Sequence, residues 1–204
     1  GKLYLRVVDY KTGKKAFSLS DVWYGMGLQM LLYLFALQKH GEARYGKEIV
    51  PAGVLYVPAR DALVSAGANL SAEDILAEKM KSKKRSGLLL DDAAVLEAME
   101  HGEAPDYLPV KFKDGVPGGD ALASLEQLGV LSQHIEKTLR DLAKELRGGS
   151  IAADPWFRSQ TENACQFCDY AEACHRTEDD HIRYLTKLKP DAVWQLLSKG
   201  GDTK

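Results

Sequence analysis

An α/β core followed by a small cysteine-bearing module is the fold class that this sequence predicts, and three patterns carry the prediction. Residues 3–8 alternate as a strand does, with Leu3, Leu5 and Val7 interleaved with Tyr4, Arg6 and Val8. Two long segments, 21–39 and 124–146, carry helical apolar content or spacing. Every cysteine falls between 165 and 174, in a polar, loop-rich stretch whose composition differs from what precedes it. On this basis the chain divides into a core over 1–150 and a cysteine module with a terminal helix over 151–204.

The first strand ends near Lys11. Side chains alternate along a strand, so Asp9 and Lys11 share a face. Thr12 and Gly13 turn the chain, and Ser18 or Ser20 caps a helix from about Asp21 to Lys39. Apolar residues cover nearly its whole circumference between Trp23 and Leu37, the pattern of a buried helix. A second strand, "AGVLYVPA" (52–59), is stopped by Pro58. Ser71 to Met80 reads as helical, followed by the basic run "KMKSKKRSG" and a short helix through "LDDAAVLEAME". "DYLPVKFKDGVPGGDA" returns to strand and Gly/Pro turn. Leu125, Leu128, Leu131, Ile135, Leu139, Leu142 and Leu146 space a long helix that "RGGS" ends. A last helix runs through "DAVWQLLSK".

Composition narrows the function classes. The chain has 204 residues, 45% hydrophobic and 27% charged, which suits a globular protein with one substantial core. The longest apolar run, Met30 to Leu37, is far short of the roughly 20 residues that cross a bilayer. No signal-peptide pattern opens the sequence, so a cytoplasmic location and no membrane partner are expected. Gly1 in place of an initiator Met, two residues before a strand, is expected of a piece cut from a longer protein. Net charge is −2, yet residues 1–60 hold nine Lys/Arg against four Asp/Glu, which makes that part the better candidate for an anionic partner. An odd number of clustered cysteines argues against a disulfide scaffold.

An acid and a lysine one residue apart at a strand end suit phosphodiester hydrolysis. The carboxylate can hold a hard divalent ion, usually Mg2+. The lysine, on the same face, can orient water and offset charge building on the phosphoryl oxygens. Alone, such a pair is equally a surface ion pair. Gln29 and Tyr33, one helical turn apart, present to one side and need polar partners that an active site or a satisfied core would each supply. Cys165, Cys168 and Cys174 form C-x2-C-x5-C, a spacing that ligates zinc or an iron–sulfur cluster. His175, His181 or a Cys from outside the chain could supply a fourth ligand. Lys79, Lys81, Lys83, Lys84 and Arg85 could meet phosphates or form a solvated loop. Trp156 and Phe157 beside Arg158 could stack on bases or pack the module.

In order, "VVDYKTG", "WYGMGLQMLLYLFAL", "AGVLYVPA", "KKRSGLLLDD", "PVKFKDG" and "CQFCDYAEAC" resemble the AddB-type nuclease domains of the RecB-like branch of the PD-(D/E)xK (restriction-endonuclease-like) nucleases. The resemblance runs over almost the entire chain. It implies that Asp9 is the second acid and a metal ligand, that Tyr10 lends its main-chain carbonyl to the same metal, and that Lys11 is the motif lysine. It implies that Gln29 and Tyr33 are the QxxxY motif beside the active site. It also implies that Cys165, Cys168 and Cys174 are the last three ligands of a 4Fe-4S cluster. The family's earlier acid, a further acidic or His ligand and its first cluster cysteine find no match here. The implied activity is therefore an N-terminally truncated, Mg2+-dependent DNA exonuclease, impaired in isolation and lacking one cluster ligand. In the parent protein it would degrade single-stranded DNA beside an AddA-type helicase–nuclease partner as double-strand breaks are processed for recombinational repair. Two other readings are a non-catalytic DNA-binding or structural module stabilised by a metal cluster, and a stand-alone exonuclease of the RecB family.

Overall fold

Alternation of side chains along residues 3–11 produces a strand, and Gly/Pro punctuation sets where the chain next turns. A computed structural model describes residues 1–13, 15–59, 71–102, 104–177 and 181–200; the acidic end of the cysteine segment, 178–180, lies outside them. Strand β1 (Leu3–Lys11) leads to helix α1 (Leu19–Trp23), helix α2 (Gln29–His40), the single turn α3 (Glu42–Tyr45) and strand β2 (Ile49–Pro58). Helix α4 (Ala72–Ser82), strand β3 (Ser86–Leu90) and helix α5 (Ala93–Met99) follow. The short strands β4 (Lys111–Lys113), β5 (Val116–Gly118) and β6 (Leu122–Ala123) precede the long helix α6 (Leu125–Arg147). Strands β7 (Trp156–Ser159) and β8 (Glu162–Asn163), the turn α7 (Ala171–Cys174), strand β9 (Arg183–Tyr184) and helix α8 (Pro190–Ser198) complete the chain.

Two compact units result, one from residues 1–19 and 27–133, the other from 20–26 and 134–204. The first holds a four-stranded mixed sheet in the order β1-β2-β3-β6, with β1 parallel to β2, β2 antiparallel to β3 and β3 parallel to β6. β2 is inside the sheet, and its first eight residues are all buried, so it reads as a continuous apolar run instead of an alternating one. On one face Leu55, Leu89, Leu96, Leu108 and Val110 form a cluster that includes the inward side of α5. α2 packs against β1 and β2. Asp92 caps α5 by accepting a hydrogen bond from the Val95 N–H at 3.1 Å. A capping box on Ser71 and Asp74 starts α4. β4 and β5 pair as a hairpin.

Several expectations change. The helix expected from Asp21 to Lys39 is two helices, because Gly25 and Gly27 both take positive φ (81° and 66°) and end the first one. Ser20 lies inside α1, where its Oγ accepts from the Leu188 N–H at 3.1 Å, so it is no cap. α2 is not buried all round: Met30, Leu31, Leu34 and Phe35 face inward while Tyr33 is 54% exposed. β3 was not expected as a strand; "SGLLL" is too short and too uniformly apolar to announce a period. In α6 the apolar stripe has the expected spacing, yet only Leu128, Leu131 and Ile135 are buried and Leu139, Leu142 and Leu146 are exposed.

The second unit centres on residues that return to its first segment. The Trp23 ring stacks on His134 with centroids 4.9 Å apart, and His134 Nε2 lies 3.0 Å from the Trp23 carbonyl. Burial holds this imidazole below the ordinary histidine value. The Arg158 guanidinium donates to Asp21 at 2.6 Å and Glu162 at 2.8 Å and lies 5.7 Å from the Trp156 ring centroid. β7 pairs antiparallel with β8 and parallel with β9.

Close approach of β2 and β3 yields a stability prediction. A Cβ at Gly87 would lie 1.9 Å from the Val54 carbonyl oxygen and 2.9 Å from its carbon, both backbone atoms inside the sheet. Gly87→Ala should therefore destabilise the chain by about 1–3 kcal/mol in urea unfolding; an unchanged midpoint would contradict the described β2–β3 packing.

Candidate active site

The parallel register of β1 on β2 sets Asp9 opposite Tyr56 and Lys11 opposite Pro58. Asp9 and Lys11 share one face of the sheet, as the strand alternation requires. Lys11 Nζ turns back to Asp9 Oδ2 at 2.7 Å, and both side chains keep partial solvent contact. The hydrogen bond to Asp9 is the main reason the Lys11 ammonium is held above its ordinary pKa; partial desolvation opposes it and the negative charge of Asp9 adds to it. Lys11 Nζ also stands 5.8 Å from the centroid of the Tyr56 ring. Tyr56 is only 7% exposed, and burial pushes its phenol above the ordinary tyrosine value.

Main-chain directions decide what Tyr10 can offer. The Ala59 N–H donates to the Lys11 carbonyl at 2.9 Å, so that carbonyl faces β2. Successive carbonyls of a strand point opposite ways, so the Tyr10 carbonyl faces the edge of β1 that carries no strand among the described residues. One carboxylate and one free main-chain oxygen are suitable donors for a hard divalent ion, which favours oxygen and takes about six ligands. Among the described residues no three His, Cys, Asp or Glu side chains converge on a common point, so the remaining ligands would be water, phosphate or groups beyond those described.

Gln29 and Tyr33 meet as their spacing predicts: Gln29 Nε2 donates to Tyr33 Oη at 3.1 Å across one turn of α2. Both are exposed, which corrects the expectation of a buried amide and phenol. Exposure removes the core alternative for this pair, since a solvated amide and phenol need no internal partner.

The three cysteines carry free thiols on the turn around α7. They do not gather into a metal-holding group among the described residues, nor do His175 and His181 join them. His175 sits in the left-handed region at φ 50°, and His181 directs Nδ1 to Asp154, which Arg183 also binds. Thiolate chemistry suits zinc or iron, but the arrangement of the three thiols does not close a site.

Of the basic run, Lys81 pairs with Glu78 at 2.6 Å and the Arg85 guanidinium lies 5.4 Å from the Tyr107 ring centroid. Arg158 is held by two carboxylates, so the Trp156–Arg158 trio packs the second unit instead of presenting a stacking surface. A cavity of about 500 Å³ near Tyr4, Arg6 and α5 opens on the face of β1 opposite Asp9 and Lys11, away from this chemistry. The residue that sequence reasoning overlooked is Tyr56. Its signal was present, because a parallel strand in register with β1 must place one residue beside Asp9.

Residues 1–175 match the PD-(D/E)XK nuclease superfamily. The chain belongs to this superfamily. The match spans the acid–lysine strand end, the Gln29–Tyr33 turn and all three cysteines. The PD-(D/E)XK chain is also similar to proteins named as the B-type subunit of an ATP-dependent helicase/deoxyribonuclease. It is 37% identical over 98% of its length to that of Clostridium novyi (strain NT), and 33% identical over 98% to that of Bacillus pumilus (strain SAFR-032). It is 31% identical over 96% to that of Ruminiclostridium cellulolyticum. The chain spans 18% of the length of these curated relatives. Enzymes of the PD-(D/E)XK superfamily generally use divalent metals, which accords with the oxygen donors at the end of β1. No described helix is long and apolar enough to cross a membrane.

Proposed function

We propose that this chain is the DNA-cleaving domain of a helicase–nuclease, hydrolysing phosphodiester bonds of single-stranded DNA as an exonuclease. The observation that carries the proposal is the Asp9–Lys11 pair, 2.7 Å apart on one sheet face at the end of β1, within a chain of the PD-(D/E)XK superfamily. Mg2+, held by the Asp9 carboxylate and the Tyr10 carbonyl, would polarise the scissile phosphate as a Lewis acid. Lys11 orients the attacking water and sets positive charge against the phosphoryl oxygens where negative charge develops. Gln29 and Tyr33, exposed and mutually bonded on α2, offer an amide and a hydroxyl to the DNA strand beside the site. Residues 1–150 constitute the nuclease part of this reading and 151–204 the cysteine module. Names of the relatives support a helicase partner of the AddA type, a role in double-strand-break repair and a cytoplasmic location. With one carboxylate in the site, the chain by itself is expected to bind metal weakly and to cleave poorly.

The test is magnesium-dependent degradation of single-stranded DNA by the complete gene product containing this chain. Lys11→Ala should lower kcat by about 100-fold or more, the scale of losing one preorganised charge at a developing oxyanion. Cleavage left intact by that substitution would defeat the nuclease reading of the strand end and favour a non-catalytic DNA-binding module.

We propose further that Cys165, Cys168 and Cys174 supply three ligands of a 4Fe-4S cluster, which would require the turn around α7 to close. C-x2-C-x5-C spacing and free thiols support this. Iron and acid-labile sulfide at about four atoms each per protein are expected after anaerobic purification of the same gene product; stoichiometric zinc without iron would overturn it.

A further inference from the structure

We propose that Tyr56 is a positioning residue for Lys11, its ring face holding the ammonium in the site when Asp9 is engaged elsewhere. This rests on the assignment of Lys11 to phosphodiester hydrolysis. The cross-strand register places Tyr56 directly opposite Asp9, on the same face as the acid and the lysine. Lys11 Nζ lies 2.7 Å from Asp9 Oδ2 and 5.8 Å from the Tyr56 ring centroid, so the two groups flank the cation. Their mobilities differ. Tyr56 is buried in β2, the strand between β1 and β3, and its ring is fixed by the sheet. Lys11 is a flexible four-carbon stem with more than a third of its side chain in solvent.

The consequence is a division of labour. A carboxylate that binds a divalent ion has less negative charge to offer the ammonium, and the ion repels that ammonium. An exposed lysine released in this way would swing into water. The aromatic face attracts a cation through its quadrupole without titrating and without competing for metal. It therefore keeps Lys11 beside the end of β1, where its charge is needed. The ring, not the hydroxyl, supplies this attraction, so Phe should serve at position 56 and Leu should not.

Two measurements test the inference. In the metal-free 204-residue chain, NMR should show Lys11 ε-methylene protons shifted upfield by the ring current, with cross-peaks to the Tyr56 ring. Tyr56→Phe should preserve the shift and Tyr56→Leu should abolish it. In the complete gene product, Tyr56→Leu should lower kcat on single-stranded DNA roughly three- to tenfold, with KM within about twofold and Tyr56→Phe close to wild type. No ring-current shift in the unsubstituted chain overturns the proposal, and that result needs no variant to fold. Equal kcat in wild type and Tyr56→Leu, or equal loss in Phe and Leu variants, also overturns it. If Lys11→Ala leaves cleavage intact while the ring-current shift is present, the nuclease assignment fails and the contact stands.

Discussion

Because β1 runs parallel to β2, no hairpin can join them, and the chain must leave the sheet after Lys11 and return through α2 and α3 before β2 begins. That crossover fixes the nine-residue register in which Asp9 meets Tyr56 and Lys11 meets Pro58. A slip of one residue would send Asp9 and Lys11 to the opposite face. The acid–lysine pair is therefore a consequence of strand pairing as much as of local sequence. The same crossover lays α2 against β1 and β2, which brings the Gln29–Tyr33 turn to a neighbouring element.

Rigidity under the site comes from β2. Its first eight residues are buried, and its neighbour β3 approaches so closely that Gly87 has no room for a side chain. A polar pair with partial solvent contact thus rests on apolar strands that do not yield. The exposed Asp9–Lys11 contact adds little to stability, as solvated ion pairs do. Its value lies in placement, with a hard oxygen donor and a cation on one face, and a buried aromatic ring beside them.

Much of this was legible in the sequence, for definite reasons. Period-two alternation fixed the face shared by Asp9 and Lys11, and the four-residue spacing fixed the face shared by Gln29 and Tyr33. Capping chemistry at Ser71 marked α4. What escaped was decided by tertiary context. "SGLLL" has no period because β3 is buried on both faces, and the helix expected through Asp21–Lys39 broke at two glycines whose cost in a helix is modest until their φ turns positive. Tyr56 could not be assigned a role until the register of β2 was known. The cysteines have a ligand spacing, yet spacing along a chain does not specify convergence in space, and around α7 the thiols do not converge.

The central claim is that a divalent ion binds at the end of β1. The most direct measurement adds manganese(II), a paramagnetic oxygen-seeking ion, to the isotopically labelled chain and reads which resonances broaden. The account predicts that signals of Asp9, Tyr10, Lys11 and Tyr56 broaden first, and that Asp9→Ala removes the effect. Broadening centred elsewhere, with β1 unaffected, would contradict it.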